Sequence, residues 1–108
     1  MYVANYGIPN AELPRGAGRR LLAAAGRPQD EPDVSFAYGA QAAEILLDAI
    51  DRSDGTRASV TRELRATRVE DGILGDIRFD RYGDLVEGPV TIYRFTWKGP
   101  TVDRVVTV

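Results

Sequence analysis

Gly72-Ile73-Leu74-Gly75-Asp76-Ile77-Arg78-Phe79-Asp80-Arg81-Tyr82-Gly83-Asp84 is the stretch whose reading decides the fold. Ile77 and Phe79 alternate with Asp76, Arg78 and Asp80, which is the period of a half-buried strand. Asp80 to Asp84 then reads as a turn. Gly83 accepts positive φ, and the carboxylates of Asp80 and Asp84 are placed to take nearby backbone N–H groups. After Gly88-Pro89 comes a second strand, Val90 to Trp97, and Lys98-Gly99-Pro100 turns the chain into a last one, Thr101 to Val108.

Upstream of this stretch the pattern is helical. Met1 to Tyr6 reads as a strand ending at Gly7. A helix is expected from about Arg15 to Ala25, with Pro14 tolerated at its start and Gly26 at its end. The strongest pattern lies beyond the loop at 27–32. Asp33 or Ser35 serves as cap, and Tyr38, Ala42, Ile45, Leu46, Ala49 and Ile50 recur at helical spacing as an apolar face. Gln41, Glu44, Asp48 and Asp51 fall on the opposite, solvent face. A shorter helix follows from about Arg57 to Ala66, with Arg62 and Arg65 near its C-terminal end, where positive charge suits the helix dipole. The expected order is one strand, three helices, then three strands.

The length, 108 residues, allows one domain at most. A formal charge of −2 gives no electrostatic case for nucleic acid or an anionic membrane. No apolar run approaches the roughly 20 residues of a membrane span. Met1-Tyr2-Val3-Ala4-Asn5 lacks the charged start and apolar stretch of a signal peptide, so either the protein is cytoplasmic or a signal lies upstream of this chain.

The same composition removes much chemistry. The chain has no Cys and no His, which excludes disulfides, thiolate chemistry and both Ser-His-Asp and Cys-His catalysis within it. Ser35, Ser53 and Ser59 sit in no Gly-x-Ser-x-Gly context, and no pair stands out among the sixteen acids. Asp76, Asp80 and Asp84 lack the close alternation and terminal Glu of a calcium loop, so they read as turn carboxylates. Gly16-Ala17-Gly18-Arg19-Arg20 lacks the third glycine and preceding strand of a phosphate loop, and reads as a helix start. Tyr93, Phe95 and Trp97 alternate on one strand face, a stripe that suits core or interface better than a ligand platform. The chain is therefore expected to be no enzyme and to carry no cofactor or metal.

The deciding stretch also carries a resemblance. Gly72, Gly75, Phe79, Asp80, Gly83 and Asp84 match the loose pattern G-x-x-G-x-(hydrophobic)-x-F-D-x-x-G-D of the type I periplasmic ligand-binding proteins, in their branched-chain amino-acid-binding branch. The helix SFAYGAQAAEILLDAI and the opening MYVANYGIPN resemble the segments that precede that pattern. The resemblance spans residues 1–108 but only about the last third of such a protein. It implies an α/β chain, the C-terminal fragment of a two-lobed, doubly wound binding fold. Residues 1–108 would form one partial domain, with hinge-like crossovers at 1–6 and 87–92.

The function it implies is binding of a small polar solute, an amino acid or similar, by hinge closure without chemistry. The parent would be an extracytoplasmic solute-binding protein serving an ABC permease. The alternative is a ligand-sensing or interaction module fused to a regulatory protein, and a weaker one is an unrelated α+β interaction domain. Asp33, Ser35 and Phe36 match positions of the family's cleft wall, although Asp33 stands where family members often carry an aromatic residue. The family's main ligand contacts lie upstream, so none carries over. The implied partners are the small-molecule ligand, the N-terminal portion of the same protein, a permease, and a second copy of the chain. The last would cover apolar helix surface that too little sheet is present to bury.

Overall fold

The first strand and the fourth, more than eighty residues apart, lie side by side. In the computed structural model, which describes residues 1–28 and 35–108, β1 (Tyr2–Tyr6) pairs antiparallel with β4 (Pro89–Thr96). The register runs from Tyr2 opposite Arg94 to Tyr6 opposite Val90. β5 (Gly99–Thr107) pairs with the other edge of β4, giving a three-stranded sheet in the order β1-β4-β5. A second sheet is a hairpin of β2 (Arg68–Gly72) and β3 (Gly75–Arg78). Between β1 and β2 come a short 3-10 turn, Asn10–Glu12, and three helices: α1 (Ala17–Ala25), α2 (Ser35–Arg52) and α3 (Arg57–Arg65).

The final run thus holds four strands, not the expected three. β2 has a weak strand pattern, because Val69 is its only apolar residue. It exists because β3 pairs with it: Arg68 faces Arg78 and Val69 faces Ile77, before a bulge shifts the register. Gly72 is required by space. A Cβ there would come within 2.5 Å of Val69 Cγ1 and 2.6 Å of Gln41 Oε1. The Asp80 turn forms as expected. Asp80 Oδ1 accepts from the N–H groups of Tyr82 at 2.8 Å and Asp84 at 3.0 Å, and Gly83 takes φ 91°. Past it, Phe79 bridges to Leu85.

α2 has the expected length, and Ile45 and Ala49 of its expected face are buried, but the buried stripe is rotated from the expected one. Its buried line is Ala37, Gln41, Ile45 and Ala49, four residues apart along one stripe. Gln41, expected in solvent, is 2% exposed. Its Oε1 accepts from the Leu74 N–H at 3.2 Å, and its Nε2 donates to Glu44 at 3.2 Å. The physical reason is the backbone at Leu74, beside the β2–β3 turn. This N–H needs an acceptor where the helix meets it, and an amide supplies one that a leucine cannot. Ala42, Leu46 and Ile50, expected to be buried, lie exposed with Leu47, which is 67% exposed.

The core gathers Ile8, Leu13, Leu22, Ala37 and Ile73, with Leu21, Phe36, Tyr38 and Val105 packed at its margin. α1 starts at Ala17 and sits close to the hairpin turn, where buried Gly18 leaves only 2.8 Å between a notional Cβ and the Ile73 carbonyl oxygen. The aromatic stripe is not core within this chain. Phe95 is 42% exposed, and Trp97, in the β4–β5 turn, is 90% exposed. The radius of gyration is 15.6 Å, against about 13 Å for a compact chain of this length. The extents of 54 × 31 × 19 Å show an elongated body.

Candidate functional site

The region of interest is where β1 and the start of β4 meet the head of α2. β1 is a short uncharged strand, Tyr-Val-Ala-Asn-Tyr, that ends at Gly7. The Gly7 N–H donates to the Pro89 carbonyl at 3.0 Å, and buried Thr91 donates its hydroxyl to the Gly7 carbonyl at 2.7 Å. Residues 1–6 and 87–92, singled out separately in the sequence, are therefore tied to each other by ladder bonds and by a side chain.

α2 presses on this junction. The Tyr38 ring lies against Gly7, where a Cβ would sit 3.4 Å from the phenol oxygen. Burial raises the Tyr38 pKa above its ordinary value of 10.0, and a hydrogen bond with the Ile8 backbone offsets part of that rise. One turn back, Ser35 opens the helix and is exposed. Phe36 is half-buried at the edge of the core, with the Arg27 guanidinium 4.7 Å from its ring centroid. Asp33 lies outside the described residues. Ser35 and Phe36 stand three and two residues before Tyr38.

Beside the junction lies a cavity of about 270 Å³ between the start of β4, the end of β5 and the β2–β3 hairpin. Ile8, Leu74, Pro89 and Val105 give it apolar walls, and Asp76 and Glu87 give it two carboxylates. Asp76 Oδ1 also accepts from the Asp71 N–H at 2.9 Å, which holds it in place. Sequence reasoning named the segment at 87–92 and the motif containing Asp76, but not this juxtaposition. Ile8 and Val105 carried no local signal, since only the tertiary fold brings them together. Mixed apolar walls and two acids suit a small ligand with a cationic group. Among the described residues no three metal-ligating side chains cluster, and no helix is long and apolar enough to cross a membrane.

With these elements in place, the fold is that of part of a type I periplasmic ligand-binding protein, as the sequence resemblance implied. A solved structure that it matches is LivK, a leucine-binding protein of Thermotoga maritima, with a TM-score of 0.78 and 22% sequence identity. The match covers 98% of this chain and 30% of LivK, and fits a C-terminal portion of that fold. No family model matches the chain. No curated protein matches it either.

Proposed function

We propose that the chain is part of a protein that binds a small polar solute, an amino acid or similar, by closing two lobes about a hinge. The observation that carries this reading is the match to a leucine-binding protein over 98% of the chain. Two features support it. The β1–β4 pair joins the segments expected to cross between lobes, and the Gly7–Thr91–Tyr38 packing ties them to the head of α2. In this reading Asp33, Ser35 and Phe36 belong to one cleft wall. The exposed Leu46, Leu47 and Ile50 face of α2 is where further sheet, or a second copy of the chain, would pack. The protein would work outside the cytoplasm with an ABC permease, by binding alone. In the alternative, the same module reports ligand binding to a fused regulatory domain.

The test is a thermal-shift screen of amino acids, amides and small carboxylates. It compares these 108 residues with the chain extended upstream to its full reading frame. Stabilisation of the longer chain by one compound class, with none of the short one, is the expected result. No response from either would sink the solute-binding reading. A response from the short chain alone would place the whole pocket within it.

A further inference from the structure

We infer that Arg65, Arg68 and Arg78 form a site for a phosphate group, on the opposite face of the hairpin from the core and independent of the solute-binding reading. Arg68 and Arg78 stand directly opposite each other across β2 and β3. Antiparallel partners place their Cβ atoms about 4.5–5.5 Å apart, where like charges destabilise the pair. Val69 and Ile77, the next pair along, point to the core side, so both arginine stems leave from the outer face. Arg65 reaches the same place from the last turn of α3. The three line one open cavity of about 150 Å³ together with Ala66, Thr67, Phe79 and Val86.

No carboxylate lines that cavity, and none of the three guanidiniums has an ion-pair or hydrogen-bond partner among the described residues. Glu70, Asp76 and Glu87 line an adjoining cavity of about 210 Å³ that shares Arg68, Arg78 and Val86 with the first, and none of these acids forms an ion pair with the arginines among the described residues. The end of α3 does not need Arg65 either. Its carbonyls at Arg62, Glu63 and Leu64 accept from the Ala66 N–H at 3.1 Å, the Thr67 hydroxyl at 3.3 Å and the Thr67 N–H at 3.1 Å. Three unpaired cations around one small space call for an anion of more than one charge. The volume holds about five waters at ~30 Å³ each, enough for a tetrahedral oxyanion. A phosphate offers a separate oxygen to each guanidinium fork, where a planar carboxylate has only two.

The test is calorimetric titration of the 108-residue chain at constant ionic strength, with inorganic phosphate, phosphoserine and succinate as probes. Saturable binding of a phosphate compound is expected, weakened at least about tenfold by Arg68→Gln and by Arg78→Gln, and unchanged by Arg57→Gln. Tighter binding of phosphoserine than of inorganic phosphate assigns the site to phosphate esters, and the reverse order assigns it to the free ion. Either Gln variant should also melt higher than the parent in phosphate-free, low-salt buffer, since it removes the repulsion, and that separates lost binding from lost folding. No saturable binding overturns the site, as does equal weakening by Arg57→Gln or indifference to both hairpin variants. Succinate binding as tightly as phosphate overturns the choice of phosphate.

Discussion

Replacing Gln41 by Met would isolate a polar contact that helps fix which face of α2 turns inward. Methionine is close to glutamine in length and fills the same space, so no large cavity forms. What is lost is the Oε1 acceptor for the Leu74 N–H, a 3.2 Å bond at a part-buried site, together with the weaker link from Nε2 to Glu44. A buried donor left without a partner costs about 1–3 kcal/mol. For a domain near this size each kcal/mol moves the melting temperature by roughly 4–8 °C, so a fall of several degrees is expected. Calorimetry measures the fall, and amide hydrogen exchange locates it. The Leu74 amide should lose protection selectively, while amides in the middle of α2 change only with global stability. Leu47→Gln, on the exposed side of the same helix, should stay within about 0.5 kcal/mol of the parent. If Leu74 exchange is unchanged and Gln41→Met melts with the parent, the argument that this amide sets the helix face is wrong.

Gly18→Ala should cost about 1–3 kcal/mol in urea unfolding, because its Cβ would approach the Ile73 carbonyl oxygen to 2.8 Å. Asp54 carries a carboxyl held below its ordinary value of 3.8, chiefly by the Thr56 hydroxyl and then by the Thr56 N–H. Its contribution is present above that ordinary value and lost as pH falls through the folded one. Asp54→Asn should therefore flatten part of the acid slope of the urea midpoint between about pH 5 and pH 2, and an unchanged slope would refute the assignment. Tyr38 titrates above 10.0, so its stabilisation persists below that pH and is lost as pH rises through the folded value. An ultraviolet titration should show a late-ionising tyrosine that Tyr38→Phe removes.

Much of this fold was legible because the strong signals are local. Strand alternation at Ile77 and Phe79, the Asp80–Gly83 turn and the span of α2 each follow from neighbours within a few residues. What failed depended on distant partners. Gln41 looked like a solvent residue until the Leu74 amide, thirty-three positions away, came to face it. β2 has one apolar residue and became a strand by pairing with β3. Leu46 and Ile50 have an apolar pattern that the described residues leave about half exposed. At the site, Ser35 and Phe36 followed from the resemblance alone, and Phe36 packs half-buried at the edge of the core while Ser35 is exposed. The cavity wall of Ile8 and Val105 had no sequence signature, because chain ends with no shared period compose it.

The β1–β4 pairing also orders the assembly of the molecule. The Thr91–Gly7 hydrogen bond closes a separation of 84 residues, whereas each helix and both hairpins, β2–β3 and β4–β5, close within short loops. Loop-closure entropy for such a span is about 4 kcal/mol beyond its constant part, from the logarithmic dependence on length. Local elements repay their cost sooner. β1 therefore docks late, onto a β4–β5 hairpin already formed, and its amides should be the first of the sheet to exchange on the way back out.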